Sequence, residues 1–128
     1  MDSNTILQAL LSSDLYCSAT LCEGSSQARA AALCVGLPVV TTACGEMCDV
    51  AADAPNVTLV PTASREDLYQ ALWSMVQRLL KGDVVVRATD IAFWREHFSV
   101  ATEARSWQEA VADVIGAHRA ERSVTQPR

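Results

Sequence analysis

The chain has 128 residues, of which half are hydrophobic and a fifth are charged, and its net charge is −5. This length suffices for one domain with its own core, and an acidic chain without a basic patch argues against a nucleic-acid partner. The sequence contains no apolar run of about 18 residues and no Lys or Arg near its start, so we expect no transmembrane segment, no signal peptide and a cytoplasmic location.

The first third of the chain alternates helices with short apolar strands. A helix is predicted over residues 4–12, because its apolar residues repeat on one face, and the strand Leu15–Ser18 follows. Ser26 then caps a second helix, Ser26–Val35, which ends at a glycine suited to the left-handed position after a helix. In the next strand, Pro38–Thr42, the valines predict burial on both faces, as in a parallel sheet.

The rest of the chain continues this alternation and ends in helices. A helical turn is predicted over Met47–Ala52, and the third strand is Val57–Val60. Ser64 caps a longer helix that ends at Lys81 and Gly82. The run Val84–Val86 alone would indicate a strand, but the apolar positions that continue to Phe98 favour a helix. Ser99 caps the last helix.

Strands that alternate with helices at short spacing indicate βα units and a parallel sheet. The predicted fold class is therefore α/β: a partial Rossmann-like parallel sheet of about three strands with flanking helices. We assign residues 1–118 to this domain and residues 119–128 to a polar tail. A complete Rossmann-like domain has about six strands, so the sheet is predicted to be a part of one.

The turn from the first strand into the second helix is the candidate ligand site. In open α/β sheets, ligands bind where the strands end at their carboxyl edge. Glu23, Gly24, Ser25, Ser26 and Gln27 lie at this point in the sequence. The start of a helix offers unpaired amides and the positive end of the helix dipole, which together favour an anion. The alternative is that Glu23 is an ordinary loop carboxylate and that the residues after it form a helix-entry turn that binds no ligand.

Three features of this region follow each other at a characteristic spacing: the strand Leu15–Ser18 after Asp14, the pair Glu23-Gly24, and the run Gly36–Thr42. Together they resemble the donor-site motif of the retaining glycosyltransferases of family 4, which have the GT-B fold. The resemblance extends over residues 5–115 through further matching positions, which are Gly45, Asp49, Pro61 and Trp107. It implies that the chain is the second half of a GT-B carboxyl-terminal, donor-binding domain.

The resemblance implies a role for each residue of the candidate site. Glu23, the catalytic residue, would contact hydroxyls of the donor sugar, and the amides of Gly24, Ser25, Ser26 and Gln27 would face the sugar and the diphosphate. The substrates would be a nucleotide-sugar donor and an unknown acceptor. The sugar would be transferred with retention of its anomeric configuration, and neither a cofactor nor a metal would be needed.

Two positions depart from the family's pattern or add to it. The second Glu of the family falls at Ala31, and we expect Gln27, one turn earlier on the same face, to take over part of its contact with the ribose. The family neutralises the diphosphate with an Arg and a Lys from the half of the domain that is absent here. Arg29 is turned about 200° from position 31 and is expected to face solvent. Because these cations are missing, we expect this chain alone to be inactive. The unpaired edge of the strand Leu15–Ser18 is expected to pair with a partner chain or with a second copy of this chain.

Cysteines and tryptophans have simpler interpretations. The spacings Cys44-x-x-x-Cys48 and Cys17-x-x-x-x-Cys22 could belong to a metal or redox site, but they are wider than usual and have no histidine nearby. We predict that all five cysteines, which include Cys34, are free and mostly buried thiols. Trp94 and Trp107 are predicted to pack in the core or between helices.

Two alternatives to a glycosyltransferase remain open at this point. One is a non-catalytic partner or degenerate module that only supports assembly or binds nucleotide weakly. The other is an unrelated flavodoxin-like signalling domain, which is disfavoured because no cluster of acidic residues follows the strands.

Overall fold

A computed structural model describes residues 3–50, 54, 56–62 and 64–124, with their side chains over 4–49, 54, 56–62 and 64–116. The chain divides into two compact units, Met1–Arg95 and Glu96–Arg128. The elements are α1 (Ser3–Leu11), β1 (Tyr16–Ser18), α2 (Gln27–Cys34), β2 (Val39–Thr42), α3 (Met47–Val50), β3 (Val57–Val60), α4 (Arg65–Leu80), α5 (Ala88–His97) and α6 (Val100–Val124). None of these helices has both the length and the apolar composition that a membrane crossing requires.

The first unit contains a parallel sheet with the strand order β1-β2-β3. Tyr16 pairs with Val39 across β1 and β2, and Val39 pairs with Val57 across β2 and β3. All four residues of β2 are buried, whereas β1 and β3 are only partly covered. The predicted α/β class, with a partial Rossmann-like sheet of three strands and flanking helices, is therefore confirmed.

Local sequence signals set the ends of the helices in this unit. The hydroxyl oxygens of Ser26 and Ser64 accept hydrogen bonds from backbone N–H groups in the first turns of α2 and α4, as the cap prediction required. Gly36 follows α2 with a φ of +88°, a conformation that costs glycine little. A Cβ at this position would also come within 2.7 Å of the Ile91 side chain, so the turn packs closely against α5.

A buried amide ties α5 to the sheet. Asn56 precedes β3 and is 3% exposed. Its Oδ1 accepts a hydrogen bond from Nε1 of Trp94 at 3.0 Å, and its Nδ2 donates to the backbone carbonyl of Leu37 at 3.3 Å. Trp94 is completely buried, which confirms the core position predicted for it.

The structure corrects two predictions in the second half of the chain. The segment with Val84–Val86 is neither the predicted helix nor a strand, and α5 begins only at Ala88. Three consecutive β-branched residues form helix poorly. The Asp90 carboxylate accepts a hydrogen bond from the backbone N–H of Arg87, and this bond caps the start of α5 at the following residue. Trp107 is 67% exposed, so the prediction of a packed side chain was wrong for this residue.

Two further predictions concern element limits. The helical turn predicted over Met47–Ala52 is confirmed as α3 over Met47–Val50, while residues 51 and 52 lie outside the described residues. The backbone of α6 continues to Val124, within the segment assigned to the polar tail. The division between residues 1–118 and 119–128 stays a prediction.

Candidate functional site

The loop that leaves β1 is fixed to the end of β2. The carbonyl oxygen of Thr20 accepts hydrogen bonds from Oγ1 of Thr42 and, at 3.6 Å, from Sγ of Cys44. Ser18 and Thr41 are also joined through their hydroxyls, 2.7 Å apart. The sheet's carboxyl edge therefore holds the start of this loop in a defined place, which positions the residues that follow it.

A glycine after β2 fixes the middle of the same loop. Gly45 has a φ of +57°, and a Cβ there would overlap the carbonyl oxygens of Glu23 and Gly24. The N–H of Glu46 donates to the carbonyl of Gly24 at 3.1 Å. The sequence indicated Gly45 only as a turn residue, and its close approach to Glu23 depends on two segments that are distant in sequence.

Glu23 is half-buried at this edge, with 28% of its side chain exposed. Its Oε2 accepts a hydrogen bond from Oγ1 of Thr20 at 3.2 Å and lies 3.7 Å from Nη1 of Arg29. Arg29 belongs to the first turn of α2, so the carboxylate lies beside the start of that helix. The structure thus brings Glu23 and the helix start together, as the sequence predicted.

The other four predicted site residues form the entry into α2. Gly24, Ser25 and Gln27 are exposed, whereas Ser26 is 9% exposed. Ser26 is the N-cap, and its Oγ accepts the N–H of Arg29 at 3.4 Å. Its hydroxyl is therefore used within its own helix, and the open face of the entry consists of the other three residues. The Ser26 cap engages the amide of Arg29, and the two amides before it in α2, those of Gln27 and Ala28, lie in the first turn, where a helix can bind an anion.

The expectation that Arg29 faces solvent was wrong, because its side chain is 1% exposed. The buried residues of α2 are Arg29, Ala32 and Leu33, which follow the i, i+3, i+4 spacing of a core-facing stripe. The angle between Arg29 and Ala31 was correct, but it does not tell which side of the helix faces the sheet. Arg29 is thus a cation beside Glu23 that sequence reasoning missed.

An open groove runs between α1 and α2. It has a volume of about 410 Å³ and is lined by Ile6, Leu7 and Leu10 from α1 and by Gln27, Ala28 and Ala31 from α2. Gln27 and Ala31 therefore share one face, as one helical turn between them requires. The groove is mostly apolar, and Gln27 contributes the amide group at its α2 side.

A second hollow lies at the carboxyl edge of the sheet. Its volume is about 280 Å³, and its lining includes Leu21 from the loop after β1, Thr42 from the end of β2, and Ser64 and Arg65 from the start of α4. Arg65 is a second cation that the sequence did not place at this edge. No pattern in the sequence reveals it, because the position depends on how α4 packs.

The cysteines are free, as predicted, but the prediction that most are buried was wrong. Cys17, Cys22 and Cys48 are exposed, Cys34 is half-buried, and only Cys44 is buried. Burial raises the pKa of the Cys34 thiol, and the nearby charge of Arg95 opposes this change. Within the described part of the chain, no three His, Cys, Asp or Glu side chains are grouped closely enough to hold a metal ion.

Comparison with protein families identifies a relationship for the first part of the chain. A family model described as "Glycosyl transferases group 1" matches residues 2–78, which include Glu23, the entry into α2 and all three strands. No curated protein and no solved structure matches the chain.

Proposed function

Because this chain belongs to the family of glycosyl transferases group 1, we propose that it binds the sugar and diphosphate of a nucleotide-sugar donor at the entry into α2. The observation that carries this proposal is the position of the Glu23 carboxylate, which is partly exposed beside an open helix start. A carboxylate accepts hydrogen bonds from sugar hydroxyls, and free helix amides bind a diphosphate. One small site therefore offers a partner to each end of a sugar diphosphate.

The proposed roles follow from exposure and hydrogen bonding. The Glu23 carboxylate accepts hydrogen bonds from hydroxyls of the donor sugar. It does so with the lone pairs that face solvent and are not engaged by Thr20 or Arg29. Gly24, Ser25 and Gln27 present their backbone amides to the diphosphate, and the absence of a side chain at Gly24 allows close approach. Ser26 contributes its amide only, since its hydroxyl caps α2.

The groove beside Gln27 extends the proposal to the nucleoside. A family member with Glu at position 31 would place a carboxylate in this groove, where Ala31 now lies. We propose that Gln27 makes part of the missing contact with the ribose. Loss of a charged hydrogen bond costs about 1.5–3 kcal/mol, so we expect donor affinity about tenfold to a hundredfold below that of a site with both carboxylates.

Transfer with retention to an acceptor belongs to the same proposal. It requires more cationic charge near the leaving diphosphate than the entry into α2 supplies. Among the described residues β1 pairs only with β2, and its other edge can receive a strand. A partner chain or a second copy that pairs there would enlarge the sheet next to the site.

Donor binding tests the proposal directly. The wild-type chain is titrated with uridine diphosphate glucose and guanosine diphosphate mannose, and affinities are measured by NMR, which detects millimolar binding. We expect Glu23→Gln to weaken binding of one of these donors about tenfold or more. Asp14→Asn is the matched control, because Asp14 is an exposed carboxylate before β1, at the opposite end of that strand.

The control separates a site effect from a charge effect. Equal affinities for wild type and Glu23→Gln, in a folded variant, would contradict the role of Glu23. Gln27→Ala tests the ribose contact in the same assay, and unchanged affinity for the free nucleoside diphosphate would remove that part of the proposal.

A further inference from the structure

The guanidinium of Arg29 occupies an unfavourable place for a charge. Its side chain is 1% exposed, and among the described residues neither Nη1 nor Nη2 has a hydrogen-bond partner. The nearest opposite charge is Oε2 of Glu23, 3.7 Å from Nη1. That distance is too long for a hydrogen bond but short enough for an ion pair.

Three physical terms act against a cation at this position. Burial removes water from the charge, the missing hydrogen bonds add to that cost, and the start of a helix is its positive end. An apolar side chain would continue the stripe that Ala32 and Leu33 form on the same face of α2. The stability of the fold therefore gives no reason for an arginine here, and Glu23 is the neighbour that compensates its charge.

The exposures of the two side chains separate their roles. Arg29 is inaccessible, so a ligand oxygen cannot reach its nitrogens in this arrangement. Glu23 is 28% exposed and contacts both the interior cation and the solvent at the entry into α2. The buried charge of Arg29 therefore attracts the Glu23 carboxylate from the protein interior, while the exposed side of Glu23 stays open to a ligand.

We propose that Arg29 is a positioning residue that holds the Glu23 carboxylate in the orientation that receives the donor sugar. This inference rests on the proposed function. A movement of about 1 Å would bring Nη1 and Oε2 to the distance of a charge-assisted hydrogen bond. The ion pair and the hydrogen bond from Thr20 then fix one carboxylate oxygen of Glu23 before the donor binds. Donor binding therefore loses less conformational entropy, because the Glu23 side chain is already ordered.

A double-mutant cycle on donor affinity tests this inference. The proteins are wild type, Arg29→Met, Arg29→Lys, Glu23→Gln and the double variant Glu23→Gln/Arg29→Met, with Arg78→Met as the control at an exposed helical arginine. Donor affinity is measured by NMR titration with the nucleotide sugar that the wild type binds best, and the same spectra report whether each variant is folded. Met at position 29 suits the core-facing stripe, so this variant is expected to fold.

We expect Arg29→Met to weaken donor binding about tenfold, Arg29→Lys to restore part of the affinity, and Arg78→Met to change nothing. In the double variant, loss of Arg29 adds no further loss to that of Glu23→Gln, because Arg29 acts through Glu23. If Glu23→Gln alone does not fold, the double variant, which carries neither charge, takes its place, and Arg29→Met is expected to bind the donor no more weakly than the double variant, because the loss of Glu23 includes any loss that acts through it.

Other outcomes overturn the inference in distinguishable ways. If Glu23→Gln loses affinity while Arg29→Met binds like wild type, Arg29 does not position Glu23 and the proposed function stands. If the two losses multiply in the double variant, the effect of Arg29 is structural and independent of Glu23. If no nucleotide sugar shifts the amides of Gly24, Ser25 and Gln27 in the wild type, the proposed function fails and this inference fails with it.

Discussion

Among the buried polar side chains of the first unit, those of Asn56 and Arg29 are buried to nearly the same degree, and their surroundings differ. Asn56 is 3% exposed and uses both ends of its amide, with Trp94 as donor and Leu37 as acceptor. Arg29 is 1% exposed, and its two terminal nitrogens have no hydrogen-bond partner among the described residues. The Asn56 amide is hydrogen-bonded at both ends, whereas the described part of the chain offers the terminal nitrogens of Arg29 only the nearby charge of Glu23.

On the proposal made above, this difference separates a residue that supports the fold, Asn56, from a residue that supports the site, Arg29. Buried polar groups are normally hydrogen-bonded, and a satisfied network makes a core unique and rigid. An unsatisfied buried cation lowers stability, and its position beside the start of α2 is the reason for proposing a role in the site.

The largest effect is expected at the satisfied group. Asn56→Leu removes the acceptor of the hydrogen bond from Nε1 of Trp94 and the donor to the carbonyl of Leu37 from the core, and we expect a loss of about 3 kcal/mol in the free energy of unfolding. Urea denaturation measures it. Gln70→Leu is the control, because the Gln70 amide donates to Glu66 on an exposed helix face. An unfolding midpoint equal to that of the control would show that the amide bonds do not support the core.

A smaller loss is expected when the partner of the buried cation is removed. Glu23→Gln leaves the Arg29 charge uncompensated, and since Glu23 is partly exposed we expect about 2 kcal/mol, less than for a fully buried pair. The addition of Arg29→Met should restore most of this stability. A double variant that is less stable than Glu23→Gln would contradict the pairing, and Asp14→Asn serves as the control for the loss of one carboxylate.

Asp90 is another buried polar residue of the first unit, and its contribution to stability depends on pH. The pKa of Asp90 is lowered, first by the backbone N–H of Arg87 and then by its side chain. The lowered pKa in the folded state means that the Asp90 carboxylate stabilises the protein above its unfolded pKa, and that this contribution disappears as the pH falls through the folded pKa. Asp90→Asn should therefore lower Tm at neutral pH and have no effect in strong acid.

Thermal unfolding at several pH values measures this dependence, with Asp83→Asn, an exposed carboxylate before α5, as the control. A deficit that is equal at neutral and acid pH would show that the ionised carboxylate of Asp90 is not what stabilises the start of α5.

The smallest effect on stability is expected from Arg29→Met. It removes the charge and the missing hydrogen bonds together and leaves an apolar side chain in a core-facing stripe. We expect the free energy of unfolding to change by less than about 1 kcal/mol in either direction, because the Glu23 carboxylate that loses its partner is partly exposed and can be hydrated. A loss as large as that of Asn56→Leu would mean that Arg29 supports the fold, and the comparison would then fail.

Local signals in the sequence predicted most of the first unit. The caps at Ser26 and Ser64 and the buried valines of β2 depend on residues close in sequence, and all were confirmed. The position of Glu23 beside the start of α2 followed from the order of strand, loop and helix. Such local signals do not show which face of a helix packs against the sheet. For this reason Arg29 was predicted to face solvent.

Long-range packing accounts for the other differences. Asn56 contacts Trp94 across 38 residues, and no spacing rule reveals such a bond. Three valines before α5 read as a regular element, but the bond from Arg87 to Asp90 decides where the helix begins. The exposure of Cys22 and Cys48 depends on which loops cover them, and composition alone does not determine this.

The central claim, that a donor binds at the entry into α2, is tested most directly by mapping where a nucleotide sugar perturbs the backbone. The measurement is a two-dimensional ¹H–¹⁵N NMR titration of the wild-type chain with uridine diphosphate glucose and guanosine diphosphate mannose. We predict that the largest shifts occur at the amides of Gly24, Ser25 and Gln27. Saturable shifts confined to another part of the chain, or none with either donor, would contradict the claim.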